Sequence, residues 1–259
     1  MSIDASRPEI AIAGRHLAKK FGHVQALSDA SITVPSGKVV ALFGDNGAGK
    51  STLLKLLLGI HQKDAGELIV ADEPVELRSV RDAQELGVDC VYQDLALAPD
   101  LSVVDNMFLG HELTRAGALG WAGFVDRAEM QERTDEALRR LSIKLPSLTV
   151  AVQELSGGQQ QALAVARAVM WSKTAVLMDE PTAALGARQS EIVCDLMRTI
   201  AASGLGVLVV SHDLPRVLKV ADTVTILWRG RTALEAPAED LTVPDVVATM
   251  VGYGVGEAA

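Results

Sequence analysis

Aromatic residues are scarce in this chain: they make up 3% of its 259 residues, so aliphatic side chains and alanine must fill the core. Cysteine is almost absent as well. Cys90 and Cys194 stand far apart in apolar segments, without metal-ligand spacing. We interpret both as small core residues, which fits a protein of a reducing cytosolic compartment.

Long apolar runs and excess positive charge are also missing. No run approaches the roughly 18 residues that a membrane-spanning helix needs, and the polar, acidic start from Met1 to Pro8 does not resemble a signal peptide. The net charge of −9 argues against a generic nucleic-acid surface. With 49% apolar residues, the chain can form one large domain or a domain with an inserted lobe.

One stretch organises the rest of the sequence. Residues 44–52 match the pattern G-x-x-x-x-G-K-[ST], after the strand-forming run 39–43 and before the helix-forming run 53–58. Glycines in this context let backbone N–H groups and a helix N-terminus point at phosphate oxygens, while Lys50 reaches the terminal phosphates and Ser51 ligates Mg²⁺. The predicted phosphate-binding residues are Gly44, Asp45, Asn46, Gly47, Ala48, Gly49, Lys50, Ser51 and Thr52.

The remaining pattern predicts an α/β fold. Residues 8–42 alternate strand formers with turn residues and predict an antiparallel sheet, and residues 66–77 predict a hairpin that turns at Asp72-Glu73. Strands alternating with helices after the phosphate loop predict a parallel sheet. These later strands are expected at 87–92, 174–178, 204–210, 221–228 and 231–235.

Residues 95–156 lack strand signals and predict an inserted helical lobe, with a helix over 127–141 and a glycine-containing loop at Gly117, Gly120 and Gly123. We expect residues 1–259 to form a single domain. Its core, including the antiparallel subdomain, is predicted at 8–94 and 157–240, with a C-terminal helix and tail at 241–259.

Polar residues follow three of the expected strands. Asp179 is placed as the second Mg²⁺ anchor and Glu180 as the group that accepts the proton of an attacking water, although two carboxylates could also mark the exit from a strand. His212 suits a sensor of the terminal phosphate or a structural role. Gln93 can touch Mg²⁺ or water without changing the local charge.

Two further features admit two interpretations each. Ser156, Gly157 and Gly158, followed by Gln159, precede a helix that should run to about Trp171, and they form either a second anion cradle or a helix cap. A single active site needs only one cradle. Phe21 could stack on an adenine ring or belong to the core.

Taken together, these motifs resemble the ATP-binding subunit of ABC transporters over residues 8–235. The phosphate loop corresponds to Walker A, Gln93 to the Q-loop, residues 155–159 to the signature, residues 176–182 to Walker B and residues 211–213 to the H-loop. The resemblance implies a phosphate-loop NTPase fold with a RecA-like parallel sheet core, and ATP and Mg²⁺ as cofactors. It also implies head-to-tail pairing in which Ser156, Gly157, Gly158 and Gln159 close on the partner's ATP, and stacking of Phe21 on adenine.

Residues 91–97, 105–110 and 180–186 resemble the branch of monosaccharide importers of the ribose and fructose type. That resemblance implies a homodimer on the cytoplasmic face of the cell membrane, membrane permease subunits as partners, an external solute-binding protein acting indirectly, and no nucleic acid. Two positions depart from the wider family: Gly186 replaces the usual Asp of the interface loop, and Gln160 replaces a basic residue.

The alternative function is that of a soluble ABC ATPase acting on ribosomes or DNA. Such proteins usually carry two ATPase domains with a charged linker, or long heptad coiled coils between the phosphate loop and the signature. Residues 50–156 hold no such coil. Neither the solute nor the choice between self-pairing and pairing with a paralogue follows from the sequence.

Overall fold

The computed structural model describes residues 8–115, 117, 123–183 and 185–253. Within them, ten strands form one mixed sheet in the order β5-β4-β1-β2-β10-β9-β3-β8-β7-β6. The strands are β1 (Ile10–Phe21), β2 (Val24–Pro35), β3 (Val39–Gly44), β4 (Ala65–Val70), β5 (Glu73–Val75), β6 (Val88–Val91), β7 (Ala175–Asp179), β8 (Gly206–Val210), β9 (Thr223–Trp228) and β10 (Arg231–Pro237).

Strands β9, β3, β8, β7 and β6 run parallel, as the alternation of strands and helices predicts. Every residue of β3 and β8 is buried, which explains why these strands read as continuous apolar runs. Phosphate-loop residues follow β3, an interior strand of the parallel half. The α/β fold with a parallel core is confirmed.

The N-terminal part is antiparallel, as predicted, since β1 pairs with both β2 and β4, and β4 pairs with β5. It is more continuous than the sequence indicated: β1 runs through its turn-forming residues with a register shift between Gly14 and Leu17. His16 adopts a positive φ of 51° in that bulge. The hairpin turn lies at Ala71 and Asp72, one residue earlier than expected.

Eight α-helices are described among these residues. They are α1 (Lys50–Leu57), α2 (Val80–Glu85), α3 (Val103–Met107), α4 (Arg127–Arg140), α5 (Gly157–Trp171), α6 (Ala187–Ala202), α7 (Leu214–Val217) and α8 (Val243–Met250). Helix α4 begins at the Asp126 side chain, which accepts a hydrogen bond from the Glu129 amide, and it matches the predicted helix. Short 3₁₀ turns occupy Val152–Glu154 and Ala238–Asp240. No helix in the described part of the chain combines the length and apolar character that crossing a membrane requires.

The chain divides into two compact units, residues 94–170 and the remainder. The second unit contains the predicted lobe 95–156 and most of α5, which the sequence-based boundary assigned to the core. Contacts within this unit explain the difference: the Gln160 amide donates to Val152 O at 3.0 Å, and the Arg167 guanidinium donates to Leu95 O at 2.9 Å. Gly120 of the predicted loop and the tail beyond residue 253 lie outside the described residues.

Both cysteines are buried and free, as predicted. Asn106 organises the second unit in a way the sequence did not indicate. Its fully buried amide donates to Ala98 O, Leu101 O and Ser102 O and accepts from the Ala98 amide. This side chain therefore fixes the segment that leads into α3.

Candidate active site

The phosphate loop joins the end of β3 to the start of α1. Gly49 precedes the helix with a φ of 107°, and a Cβ there would lie 2.9 Å from Ala26 O and 2.6 Å from Leu27 Cδ2. Only glycine fits this backbone and this close approach. No side chain caps α1. The N–H groups of its first turn are therefore available to an anion, which the helix dipole also favours.

Lys50 lies at the centre of the loop and is 7% exposed. Its ammonium donates to Gly44 O at 2.8 Å and to Asp45 O at 3.1 Å. Burial lowers the pKa of Lys50, an effect that the nearby Glu180, Asp45 and Asp179 carboxylates oppose. Among the described residues Lys50 forms no ion pair within 4.0 Å, so the geometry leaves a buried cation for a phosphate group.

Asp179 is the last residue of β7 and Glu180 follows it, at the carboxyl edge of the parallel sheet. Burial raises the pKa of the Asp179 carboxyl, while Lys55 and Lys50 act in the opposite direction. Glu180 adopts a left-handed φ of 51°, and its amide donates to Val210 O at 2.9 Å. A non-glycine residue in this conformation is uncommon, and Glu180 adopts it at the edge of the sheet where the phosphate loop also begins.

His212 follows β8 and faces Glu180. Its Nε2 lies 3.1 Å from Glu180 Oε1, and its backbone amide donates to Glu180 Oε2 at 3.3 Å. Burial raises the pKa of Glu180, and the adjacent imidazole and this amide bond partly offset the effect. The Glu180 carboxylate is thus held in place while it keeps an affinity for a proton.

A cavity of about 750 Å³ brings these residues together. Its lining includes Gln93, Asp179, Glu180 and His212, with the phosphate-loop residues Asn46, Gly47, Gly49, Lys50, Ser51 and Thr52. Gly44, Asp45 and Ala48 are not in that lining; Asp45 and Ala48 border a smaller cavity of about 280 Å³ together with Asn46 and Gly47.

Seven further lining residues were not named as site residues from the sequence: Val24, Gln25, Ala26, Thr182, Ala183, Val210 and Asp213. The first three follow the Phe21-Gly22 turn, which was the available signal. Phe21 itself does not line the cavity. Its ring is 42% exposed, stacks edge-on with His61 at 5.1 Å and lies 5.5 Å from the Lys19 ammonium. Phe21 is therefore not a core residue, and Val24, 66% exposed, is one of the apolar residues that line the cavity.

The cavity also contains a donor set suited to a hard cation. Ser51, Gln93 and Asp179 supply a hydroxyl, an amide oxygen and one carboxylate. Mg²⁺ prefers oxygen ligands and is usually bound through one or two carboxylates together with substrate phosphates. The residues present therefore fit Mg²⁺.

The signature residues begin α5 in the second compact unit. The Gln159 side chain accepts from the Ser156 amide at 2.9 Å, and the Ser156 hydroxyl accepts from the Gln159 amide at 3.4 Å. This reciprocal pair caps the helix. Ser156 and Gly157 are exposed, and a Cβ on Gly157 would meet nothing within 4 Å. In the isolated chain Ser156 and Gln159 therefore form a helix cap, as one of the two interpretations expected. Ser156 and Gly157 remain exposed to solvent.

Gly186 precedes α6 with an ordinary φ of −69° and provides no side-chain cap. A Cβ there would lie 2.6 Å from Gln189 Oε1, the end of a flexible side chain. The missing Asp therefore leaves the N-terminus of α6 uncapped. Gln160, the second departure, donates to Val152 O and Leu155 O and so fixes the backbone before the signature.

A glycine loop between a buried strand and a helix, with an acidic pair at the end of another strand of the same parallel sheet, defines a phosphate-loop NTPase. The family model described as ABC transporter matches residues 27–183. The chain therefore belongs to the ABC transporter family and is an ATP-hydrolysing cassette of that family.

Relatives extend the match over the rest of the chain. The xylose/arabinose import ATP-binding protein of Sulfolobus acidocaldarius is 41% identical over 243 residues, which is 94% of both chains. The fructose import ATP-binding protein of Rhizobium meliloti is 40% identical over 93% of this chain and 94% of its own length. The ribose import ATP-binding protein of Hahella chejuensis is 34% identical over 92% of this chain, which spans 46% of that protein.

Solved structures agree on the fold. A nucleotide-free ATP-binding cassette from an ABC transporter superposes with a TM-score of 0.78 at 23% identity, covering 96% of this chain and all of that one. A dimeric bacterial ABC transporter cassette gives a TM-score of 0.71 at 24% identity, covering 88% of this chain and 98% of the other.

Proposed function

We propose that this chain is the ATP-binding subunit of a monosaccharide importer and that its cavity hydrolyses ATP to drive uptake. The proposal rests on one observation. Lys50, which is buried and forms no ion pair, lines the same cavity as Asp179, Glu180 and His212. Relatives named for xylose/arabinose and fructose import, at 41% and 40% identity, support a sugar as the solute.

The phosphate loop binds the triphosphate. Its amides and the start of α1 hold the phosphate oxygens, and Lys50 turns from its carbonyl partners to the β- and γ-phosphates. Lys50 can make this exchange because its present partners are two neutral carbonyls. Val24 lines the cavity, and the exposed Phe21 lies three residues before it in the chain. We assign adenine contact to these two side chains.

Glu180 is the general base of the proposed reaction. The water oxygen bonds to the γ-phosphorus as the bond to the β,γ-bridging oxygen breaks, and ADP leaves with that electron pair. The proton of the water passes to a Glu180 carboxylate oxygen, which burial makes more basic than an ordinary glutamate. His212 orients Glu180 through two contacts and lies where it can also sense the γ-phosphate.

Ser51, Asp179 and Gln93 are assigned as Mg²⁺ ligands. When bound, Mg²⁺ supplies positive charge that offsets the charge of the phosphate oxygens. Lys50 and the loop amides act on the same oxygens and fix the orientation of the triphosphate.

The exposed signature supports a site shared by two copies of the chain. Ser156, Gly157, Gly158 and Gln159 would close on the ATP bound by the partner, and the existence of a dimeric cassette with this fold is consistent with that arrangement. The remaining assembly follows from the importers it resembles: membrane permease subunits, an external solute-binding protein, and a peripheral position on the cytoplasmic face of the membrane.

Lys50→Ala tests ATP binding directly. It removes the buried cation and leaves the loop amides, so ATP affinity should fall and phosphate release should be abolished. Lys144→Ala, an exposed lysine outside the cavity, is the matched control and should behave as the wild type. Binding of a fluorescent ATP analogue and phosphate release measure both effects. Near-wild-type turnover by Lys50→Ala would refute the assignment of the site.

Deleting the gene in its host tests the solute. Uptake of radiolabelled xylose, arabinose, fructose and ribose should fall for at least one sugar and recover with the wild-type gene but not with Lys50→Ala. Unchanged uptake of all four would contradict monosaccharide import while leaving the ATPase intact.

A further inference from the structure

The side of the phosphate loop that faces away from the nucleotide cavity rests on the turn between β9 and β10. Gly230 donates its amide to Ala48 O at 3.0 Å, and its carbonyl accepts the Ser28 amide at 2.8 Å. Leu227 O lies 2.6 Å from where a Cβ on Gly44 would stand. The loop therefore contacts the end of β9 where it begins and the β9–β10 turn just before α1.

Trp228, the half-buried last residue of β9, and the exposed Arg229 lead into this turn. Arg229 adopts a left-handed φ of 47°, and its guanidinium lies 4.8 Å from the centre of the Trp228 ring. Trp228 and Arg229 border the cavity of about 280 Å³ together with Asp45 and Ala48 of the loop. The indole is thus part of the wall behind the phosphate-binding backbone.

The C-terminal segment fixes the indole from the other side. Helix α8 packs on β9 and β3, and Met250 and Val251 at its end border the same cavity. Gly252 adopts a φ of 90°, and its amide donates to Thr249 O at 3.0 Å. A Cβ on Gly252 would lie 2.8 to 2.9 Å from three atoms of the Trp228 indole, so the backbone there lies directly against the ring.

We propose that Trp228 is a positioning residue for the phosphate loop and that Gly252 sets the position of its indole. Gly252 packs against the Trp228 indole, and Trp228 is joined through Arg229 to Gly230. The Gly230 amide in turn donates a hydrogen bond to Ala48 O. Ala48 is two residues before Lys50, so a displaced turn displaces the amides that hold phosphate. This inference rests on the proposed function, because it assumes that the loop binds ATP.

Gly252→Ala tests the connection. The new methyl forces the ring or the C-terminal segment to move by about half an ångström to reach ordinary contact, and displacements of this order cost roughly tenfold in catalytic efficiency. We expect kcat/KM for ATP to fall about tenfold. Gly110→Ala is the matched control, because Gly110 has a similar φ of 82° with nothing within 4 Å of its Cβ. The control carries the backbone strain without the clash and should stay within about twofold of the wild type.

The ¹⁹F signal of Trp228 measures a response to ATP that we do not expect if this residue only stabilises the fold. In protein labelled with fluorotryptophan, the ¹⁹F signal that disappears in Trp228→Phe belongs to this residue. It should shift on adding Mg-ATP, with the midpoint of ATP binding. Trp228→Phe, which keeps a ring, should retain most activity, and Trp228→Ala should lose as much as Gly252→Ala.

The outcomes separate this inference from the proposed function. Loss of ATP binding in Lys50→Ala, with Gly252→Ala matching Gly110→Ala, overturns the positioning role alone. A Trp228 ¹⁹F signal that does not shift at saturating Mg-ATP overturns the positioning role as well. Unchanged ATP binding in Lys50→Ala refutes the proposed function first. Thermal unfolding of each variant establishes that activity was measured on folded protein.

Discussion

Glu180→Gln gives the sharpest test of the catalytic assignment. Glutamine keeps the length of the side chain, and its oxygen can still accept from the His212 amide, now 3.3 Å away. It cannot take a proton. Loss of general-base assistance typically costs about 10²–10⁴ in rate, or roughly 3–5 kcal/mol of activation free energy.

ATP binding should survive this substitution, because Lys50 and the loop amides are unchanged. Glu180 is one of the carboxylates that favour the charge on Lys50. Removing it takes a negative charge away from the cavity, so it should not weaken the binding of an anion. Unhydrolysed ATP would then hold two subunits together by mass action. Size-exclusion chromatography should show a dimer with Mg-ATP and a monomer without it.

Glu235→Gln is the matched control. Glu235 is a glutamate of β10 whose pKa is also raised by burial, and it does not line the cavity. Its substitution removes the same charge and should leave phosphate release close to the wild-type rate. Hydrolysis at the wild-type rate by Glu180→Gln would refute the base assignment and make His212 the first alternative.

The pH dependence of the wild type follows from the same group. Burial raises the pKa of Glu180, so its protonated form persists to higher pH than in an ordinary glutamate with a pKa of 4.5. The base works only when deprotonated, and kcat should therefore fall as the pH decreases through this raised pKa. The free energy of unfolding changes in the opposite direction. It should increase as the pH decreases through this raised pKa, because protonation of Glu180 relieves the cost of burying its charge. A pH–rate profile whose acid limb disappears in Glu180→Gln would support the assignment; an unchanged limb would contradict it.

Two further predictions concern the surface that a second copy would meet. Ser156→Arg should leave ATP binding to the isolated chain intact and block hydrolysis. Mixing this variant with Lys50→Ala should restore activity if one complete composite site can act alone. Loss of ATP binding by Ser156→Arg itself would contradict a shared site. Gly186→Asp should cap α6 and stabilise the chain by about a few tenths of a kcal/mol, with nucleotide affinity nearly unchanged. Thermal unfolding and ATP titration check the latter, and a large loss of affinity would mean that this loop faces the nucleotide.

Much of the fold could be predicted because its signals are local. The phosphate loop demands glycines in a fixed order, and the parallel strands are buried on both faces, so they stand out as apolar runs between helices. Asp179 and His212 were each placed after an expected strand, and they line one cavity because parallel strands end at the same edge of the sheet.

Other features depend on contacts that are distant in sequence. The exposed placement of Phe21 follows from β1 continuing through its bulge, which alternation alone did not reveal. Val24 reaches the cavity only because β2 pairs back onto β1. The sequences around Gly252 and Trp228 give no indication that these two residues are in contact. Asn106 resembles any polar residue of a helix until its carbonyl partners are known.

The left-handed backbone of Glu180 means that stability and chemistry favour different residues at this position. A non-glycine residue in this conformation costs about 1–3 kcal/mol, and glycine or asparagine would adopt it more easily. Neither could accept the proton. A library of this chain ranked only by resistance to heat would therefore tend to discard the side chain that we assign as the general base, and engineering for robustness must hold position 180 fixed.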